Sequence, residues 1–374
     1  RDLAKPSRAV GTKLGSMSAF AVDPTVPRAS ATDIAVALQD PGFGRYFVDH
    51  MAQATWSAAD GWHDKALLAT GPLSLHPAVS GLHYGQQIFE GLKAYRHADD
   101  SVWMFRPEKN AARFAHSAAR MQMPALPTED FIESVTKVVQ LNLDWVPQAE
   151  GEQSLYLRPF MFASEIQIGV KASDYYTYIC LGMPVMPFYP QPLTLWVSPT
   201  YSRSMAGGTG DAKCGGNYGA SMIAEAEAHR NGCTQVLWLD SATRSWVEEG
   251  GTMNFLVITE SGELVTPDLN GRILAGITRD SLLKLAGSHG LRPVERPLAF
   301  AELCEGITSG RITEALACGT AAVVSPVVGI KSPEIDLTVG DGTPGAKTLE
   351  LRAHLTGIQF GTEPDSHDWM RRVG

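Results

Sequence analysis

The chain has 374 residues, of which 44% are hydrophobic and 19% are charged. This length suggests two domains, and the composition is ordinary for a globular protein that buries a sizeable core. The formal net charge of −9 argues against a nucleic-acid or anionic-membrane surface, and no apolar run approaches the roughly 18 residues of a membrane helix. The five cysteines are scattered without a CxxC pair, which argues against a disulfide framework or a zinc site and predicts a reducing, cytoplasmic compartment.

The first half of the chain is predicted to form a smaller domain over residues 31–183, preceded by a poorly ordered tail or loosely packed arm at residues 1–30. Pro107 suits the first turn of a helix, and apolar residues recur at helical spacing from Ala111 to Met121, before Pro124. Thr128 is expected to cap a second helix. Strands are predicted at 103–106, 154–162 and 175–181.

A proline-rich segment marks the predicted domain boundary. Four prolines occur in the ten residues 183–192, and proline is disfavoured in helix interiors and central strands. We therefore predict an interdomain linker at residues 184–192 and a larger domain at residues 193–374.

The second half is predicted to be rich in strands joined by hairpins. A helix is expected from Asn217 to Asn231, and another from Thr278 to His289-Gly290. Strands are predicted at 193–197, 235–239, 253–259, 263–266, 312–317 and 321–324. Because these hairpins are adjacent in sequence, the fold class is α+β or mixed α/β and not a regular βαβ array.

The most informative motif is a lysine within a glycine-rich loop. Residues 207–219 contain six glycines around Lys213, without a P-loop or a dinucleotide-binding fingerprint. A lysine among small residues is accessible to a carbonyl group and becomes a nucleophile when its pKa falls. A solvated lysine on a surface turn would have the same local pattern.

Two adjacent carboxylates, Glu248 and Glu249, precede a Gly-Gly turn. In a strand, only one of them is expected to point inward, where it would need a cationic partner such as the protonated ring nitrogen of pyridoxal phosphate (PLP). An ordinary acid at a strand edge would also account for either residue.

Further motifs are suited to anions. Gly276 and Thr278 open a helix, and Gly319 and Thr320 form a turn, so both offer free amides and a hydroxyl group, although a plain helix cap or turn is the alternative. Arg106 ends a strand, and Arg158 shares a strand face with Tyr156 in a pair suited to a carboxylate, unless these arginines are merely exposed. The histidines show no metal-ligand spacing, so no metal site is predicted.

Together, these motifs resemble the branched-chain-amino-acid aminotransferases, which have PLP fold type IV. The resemblance runs from about Phe43 to Pro326. Its strongest segments, in chain order, are 47–51, 75–77, 82–84, 89–93, 104–107, 208–219 and 249–254. It departs from mammalian relatives at Ala322 and Ser325, where those carry a CxxC thiol switch, so redox gating through this pair is not expected.

The resemblance implies a homodimer that holds PLP between a small and a larger domain. Lys213 would bind the cofactor covalently and move the substrate proton, Glu249 would pair with the pyridine nitrogen, and Tyr218 would face the phenolic oxygen. The phosphate would be held by Arg106, the backbone of Ile277 and Thr278, and Thr320. The substrate would contact Phe43, Tyr84 from across the interface, Phe89, Tyr156, Arg158, Thr252, and the turn Thr320-Ala321.

The implied reaction is transfer of the amino group of leucine, isoleucine or valine to 2-oxoglutarate. Arg158 would then be available for the distal carboxylate of glutamate. A D-amino-acid aminotransferase or an aminodeoxychorismate lyase would keep the lysine and the glutamate but differ in the pocket. A non-catalytic ligand-binding protein would need no reactive lysine.

Overall fold

The computed structural model describes residues 19–374, and its first half forms one sheet with helices on one face. The elements of this half are β1 (Ala21–Val22), α1 (Ala31–Gln39), β2 (His50–Ser57), β3 (Gly61–Ala69), α2 (Ser80–Tyr84), β4 (Gln87–Phe89), β5 (Leu92–Arg96), β6 (Val102–Phe105), α3 (Pro107–Arg120), α4 (Thr128–Leu141), β7 (Ser154–Ala163) and β8 (Tyr175–Val185).

The second half begins at Leu193 and alternates strands with short helices. Its elements are β9 (Leu193–Trp196), α5 (Gly215–Gly219), α6 (Met222–Arg230), β10 (Gln235–Leu239), β11 (Val247–Gly250), β12 (Met253–Thr259), β13 (Glu263–Thr266), α7 (Ile277–Leu285), β14 (Arg292–Glu295), α8 (Phe300–Ser309), β15 (Ile312–Gly319), β16 (Val323–Lys331), β17 (Asp336–Thr338), α9 (Ala346–Phe360) and β18 (Met370–Arg372). Among the described residues, no helix is both long and apolar enough to cross a membrane.

The first sheet has the strand order β1-β3-β2-β8-β7-β5-β6-β18, with β4 added beside β7. The two faces of this sheet pack against different cores, as strand β5 shows. Leu92 and Ala94 join the core under α3 and α4, whereas Tyr95 joins a different core with α7 and α9. Side chains alternate along a strand, so Lys93 and Tyr95 face the second half of the molecule. This face borders the cavity described below.

The second sheet closes on itself. Its order is β11-β10-β9-β16-β15-β12-β13-β14, and β11 also pairs with β12, so six strands form a ring. Leu195, Leu237, Phe255 and Ala317 belong to the apolar cluster that these strands share with α8. Every strand in the ring has a strand partner on each side, so the ring has no open edge at the strand ends and turns that carry the site.

The division of the chain differs from the sequence prediction at three places. Phe20 is buried, and β1 pairs with β3, so the predicted tail is packed from residue 20, while residues 1–18 lie outside the described part. Strand β8 continues through Pro184 to Val185 in its pairing with β7, so the irregular linker begins at Met186. The proline is tolerated there because β2 pairs only with residues 175–180, so the end of β8 has a strand partner on one side only.

The third difference is at the carboxyl end, which was predicted to belong to the larger domain. Strand β18 instead pairs antiparallel with β6 at the edge of the first sheet. Trp369, just before it, packs edge-on against Phe105. The chain therefore returns to its first half, and the last strand ties the two halves together.

The helix predicted from Asn217 also differs. Asn217 lies inside the short helix α5, and a second helix, α6, begins at Met222. The Asn217 side chain accepts a hydrogen bond from Thr209 Oγ1 and donates to the carbonyl oxygens of Thr209 and Ala212. It therefore braces the glycine-rich loop and does not cap a long helix.

Candidate active site

A cavity of about 250 Å³ lies between the two halves of the molecule and brings most of the predicted site residues together. Of the predicted residues, it is lined by Phe43, Phe89, Tyr156, Arg158, Lys213, Tyr218, Glu249, Thr252, Ile277, Thr278, Thr320 and Ala321. Arg106 and Tyr84 do not line it.

Lys213 is held by its backbone and faces its expected partner. Its amide donates to Ser117 Oγ on α3 at 2.9 Å, and its carbonyl accepts from the amide of Phe89 at 2.9 Å. Its ammonium lies 2.8 Å from Tyr218 Oη and 4.7 Å from the centre of the Phe89 ring. The side chain is half-buried between two aromatic rings, where a reacting carbonyl group has access to it.

Glu248 and Glu249 are both buried, whereas the sequence pattern predicted that only one of them would point inward. They lie on opposite faces of β11, and Glu248 forms an ion pair with Arg272 at 2.5 Å. Glu249 faces the cavity, accepts from the amide of Leu274 at 2.7 Å and lies 3.3 Å from Arg203 Nε. Burial raises the pKa of Glu249 more than Arg203 and the Leu274 amide lower it. This carboxylate therefore lacks part of the stabilisation that a cationic N–H would supply.

The first turn of α7 borders the cavity next to Gly276. Helix geometry leaves the first amides of α7, which include Ile277 and Thr278, without acceptors inside the helix, so they suit an anion. A Cβ atom on Gly276 would collide with the side-chain oxygen of Asn254. Glycine is therefore required for this turn to pack against β12.

Arg113 is the cation that lines this side of the cavity, and it was not predicted from the sequence. It forms a two-pronged ion pair with Glu90, at 2.7 and 2.9 Å, and donates to the carbonyl of Ala275 at 3.1 Å. The signal was the spacing of polar residues on α3, since Asn110, Arg113 and Ser117 recur at helical intervals. All three bond to residues of the site.

Arg106, which was predicted to hold phosphate, lies outside this cavity. Its guanidinium bonds to Asp280 at 2.5 Å and to Ser281 Oγ at 2.6 Å, and it stacks 4.8 Å from the centre of the Trp369 ring. The reason is local geometry, because Arg106 has a left-handed backbone (φ 50°) at the start of α3 and turns toward the outer side of α7. It supports α7 from outside the cavity.

The opposite end of the cavity is aromatic and contains one arginine. Arg158 donates to Tyr156 Oη at 3.2 Å and lies 4.9 Å from the centre of the Phe89 ring, while its Nε is buried without a described partner. Phe43 packs edge-on against Tyr156. A Cβ on Gly91 would collide with Tyr156 Oη, so glycine is needed there. This end combines apolar walls with a cation that has unused hydrogen-bonding capacity.

Tyr84 is 41% exposed at the end of α2, away from the cavity of its own chain. Other lining residues were not foreseen: Phe188 and Tyr189 of the linker segment, Glu225 of α6, Gln235 of β10, and Cys318 of β15. Burial raises the pKa of the Cys318 thiol to about 12, so this cysteine is an unreactive neutral wall residue.

Comparison with known proteins shows the family of the chain. Residues 87–330 match the amino-transferase class IV family. The branched-chain-amino-acid aminotransferase of Mycolicibacterium smegmatis is 48% identical over 342 residues, covering 90% of this chain and 93% of that protein. The probable branched-chain-amino-acid aminotransferase of Streptomyces coelicolor is 46% identical, covering 94% and 97%.

A solved structure has the same fold. The branched-chain amino acid aminotransferase of T.th., complexed with N-(5'-phosphopyridoxyl)-L-glutamate, superimposes with a TM-score of 0.70 at 26% identity, covering 86% of this chain and 99% of that one. The predicted mixed fold class is thus confirmed. The chain belongs to the class IV aminotransferases and, among them, to the family of the branched-chain-amino-acid aminotransferases.

Proposed function

We propose that this aminotransferase uses PLP to transfer the amino group of L-leucine, L-isoleucine or L-valine to 2-oxoglutarate. One observation carries the proposal: the amine of Lys213 and the buried carboxylate of Glu249 line the same cavity, together with two turns that offer amide groups. The names of the relatives and the phosphopyridoxyl-glutamate complex of the T.th. protein support the same substrates and cofactor.

The residues present fit PLP. Glu249 is fully enclosed with a raised pKa, and a cationic pyridine nitrogen would add to the stabilisation that Arg203 and the Leu274 amide give it. The amides of Ile277 and Thr278 and the guanidinium of Arg113 suit a phosphate. We therefore assign the phosphate cation to Arg113 in place of Arg106, and we keep Thr320 in this cradle.

Each remaining step of the proposed reaction is assigned to a residue of the chain. PLP, when bound, withdraws electrons from the α-carbon of the substrate. Lys213 Nζ then takes and returns the α-proton, and Tyr218 Oη, 2.8 Å away, holds this amine in position. Glu249 keeps the ring nitrogen protonated. The amides of the Thr320-Ala321 turn bind the α-carboxylate, with Thr252 beside them in the cavity wall.

The aromatic end of the cavity accounts for dual specificity. Phe43, Phe89 and Tyr156 form apolar walls for an aliphatic side chain, and Arg158 is within the same wall for the distal carboxylate of glutamate. An unpaired cation in the centre of the pocket would reject leucine, whereas one against Phe89 and Tyr156 is shielded by their rings.

The covalent test uses borohydride reduction of the PLP-loaded protein, followed by peptide mapping. We expect a pyridoxyl adduct on Lys213 and none on Lys93, a buried lysine that does not line the cavity. Lys213→Ala should abolish turnover, while Lys331→Ala, at an exposed ion pair, should retain it. Absence of the Lys213 adduct would favour the non-catalytic binding protein.

The substrate test compares L-leucine with D-alanine as amino donors. Turnover with L-leucine and 2-oxoglutarate, and none with D-alanine, is the expected result. The reverse preference would support a D-amino-acid aminotransferase. Release of pyruvate from aminodeoxychorismate without an amino acceptor would support the lyase.

We further propose that the protein is a cytoplasmic homodimer to which Tyr84 contributes across the interface. Two other exposed apolar residues belong to the same region as Tyr84. Leu82 lies in the same helix, and Ile166 forms a β-bridge with Val79, the residue that precedes this helix. The five cysteines are all free, as expected in a reducing compartment. A single species of the 40.3 kDa monomer mass in light scattering would contradict the dimer.

A further inference from the structure

The turn that would bind the substrate carboxylate has a cavity side and a rear side. Gly319, Thr320, Ala321 and Ala322 line the cavity, between β15 and β16. On the rear side, two cations bind the carbonyl oxygens of the turn and of the strand that follows it. Lys93 Nζ donates to Ala321 O at 3.4 Å, and Arg352 Nη1 donates to Ala322 O at 3.4 Å and to Val324 O at 2.6 Å.

Lys93 is an unusual residue for this position. It is 3% exposed on β5, and no described carboxylate forms an ion pair with it. Burial lowers the pKa of Lys93 to about 8, while Glu152 opposes this shift and Arg352 adds to it. The ammonium is therefore still mostly protonated at neutral pH. A buried cation with a carbonyl as its partner is costly and is kept where it serves a local purpose.

The turn itself is strained. Val323, a β-branched residue, has a φ of +58°, which non-glycine residues of this shape rarely adopt. Such a conformation persists only when the surrounding contacts hold it. The contacts that hold it include Arg352, which bridges the carbonyls on either side of Val323 and is itself paired with Glu152.

We propose that Lys93 and Arg352 form a cationic clamp that holds the turn Gly319–Ala322 with its amides toward the substrate carboxylate. This proposal rests on the proposed function and deepens it, since it makes both residues positioning residues for a carboxylate that every substrate of the reaction carries. The cation on Ala321 O fixes the peptide group that joins Ala321 to Ala322, and so restrains the turn that carries the amides of Thr320 and Ala321.

Lys93 also lies close to the phosphate cradle. A small enclosed cavity is lined by Lys93 together with Thr278 and Thr320, the two threonines that also line the main cavity. The clamp is therefore located behind the junction of the carboxylate turn and the start of α7. From this position it can hold the carboxylate turn and the start of α7 at a fixed distance from each other without touching the reacting atoms.

The test compares two amines that differ only in the carboxylate. PLP-loaded wild type and Lys93→Met are reacted in single turnovers with L-leucine or with 3-methylbutylamine, and the visible absorption of the cofactor is followed. We expect Lys93→Met to lower the second-order rate with leucine by about tenfold and the rate with the amine by less than about twofold. In steady state, the KM values for leucine and 2-oxoglutarate should rise while kcat changes by less than about threefold.

Matched variants separate the clamp from a general structural role. Lys93→Arg should restore most of the rate with leucine, and Lys331→Met, an exposed lysine far from the turn, should behave as wild type. Should Lys93→Met fail to fold, Arg352→Gln tests the same turn from helix α9 with the same pair of amines. Equal losses with leucine and the amine, or no loss with either, would overturn the clamp. A wild type that does not react with leucine at all would instead overturn the proposed function, and the clamp with it.

Discussion

The buried pair Glu90–Arg113 offers a quantitative test of how the site is built. Glu90 has no exposed surface, and its carboxylate accepts four hydrogen bonds, from the amide of Gly91, from Asn110 and twice from Arg113. Burial raises the pKa of Glu90, but the charge and hydrogen bonds of Arg113 outweigh it, so the net shift is downward. The carboxylate is therefore charged at neutral pH and depends on its partner.

The expected magnitude follows from that dependence. Arg113→Met leaves an enclosed carboxylate with two neutral donors, and loss of one partner of a buried ion pair typically costs about 3–5 kcal/mol. Glu90→Gln keeps the shape and the contacts to Gly91 and Asn110 but leaves the Arg113 charge uncompensated, for a cost of similar size. The double variant has neither orphaned charge, so its cost should fall short of the sum by about 2 kcal/mol or more.

The assay is urea unfolding of the four cofactor-free proteins at one protein concentration, followed by tryptophan fluorescence. A PLP titration supplies a second readout, in which Arg113→Met should weaken binding by about 10- to 100-fold because it removes a charge-assisted contact to phosphate. Glu90→Gln, which retains the guanidinium, should weaken it less. Additive costs within about 0.5 kcal/mol would refute the coupling, and equal PLP affinities of Arg113→Met and wild type would refute the phosphate assignment.

Three further predictions address other parts of the site. Because burial raises the pKa of Glu249 on folding, the charged carboxylate costs stability as the pH rises above its ordinary pKa of 4.5. The thermal midpoint of wild type should therefore fall relative to that of Glu249→Gln as the pH rises from about 4.5 in the cofactor-free protein, while turnover of the variant is about 100-fold or more below that of wild type. A wild type whose midpoint does not fall relative to the variant would contradict this. Arg106→Met should lower the thermal midpoint by several degrees and leave PLP affinity within about threefold, because Arg106 contacts α7 from outside the cavity; a larger loss of PLP affinity would restore it as a phosphate ligand. Gly91→Ala should raise the KM for leucine by displacing Tyr156, while Gly71→Ala, at an open position, should have no effect; wild-type KM in the first variant would show that the ring adapts.

Much of the site could be predicted because its chemistry is local in the sequence. Lys213 within its glycine-rich loop, Glu249 before a Gly-Gly turn, and the turns at Thr278 and Thr320 each combine residue types that suit a specific contact, and the structure has all four lining one cavity. What the sequence could not supply was the partner of each group. Arg203, beside Glu249, is 46 positions earlier in the chain and carries no local motif.

The choice between Arg106 and Arg113 shows the same limit. Arg106 precedes the first residue of α3 and Arg113 lies in the middle of this helix, and Arg106 stands in the more conspicuous segment, just before Pro107. Their directions depend on the left-handed backbone at Arg106 and on the rotation of α3, which puts Arg113 on the same helix face as Asn110. Residue type alone favoured Arg106, which lies outside the cavity, whereas the helical spacing of buried polar residues would have favoured Arg113, which lines it.

Prediction of the fold from the sequence was limited by strand pairing between distant segments. Proline density predicted a linker from residue 184, but β8 lies between β2 and β7, and its pairing with β7 extends to Val185. Strand β18 has three residues and no alternating pattern of its own, so only its partner β6 defines it. The local sequence propensity of a segment does not predict such pairings, because they depend on which edge of a sheet remains open.

The turns that we propose as anion sites follow one physical rule. Each turn that offers amides to the cavity has a cation bound to its carbonyl oxygens: Arg113 on Ala275, Arg106 on Ile277, Lys93 on Ala321 and Arg352 on Ala322. Three of these cations come from the first half of the chain, whereas all four carbonyls belong to the second. An amide turn without such support would be free to rotate and would hold an anion less firmly. We therefore expect the relative position of the two halves to determine how strongly the cavity binds anions. A variant that loosens the contact between the halves should weaken binding of phosphate and carboxylate groups together, even when no residue of the cavity wall is changed.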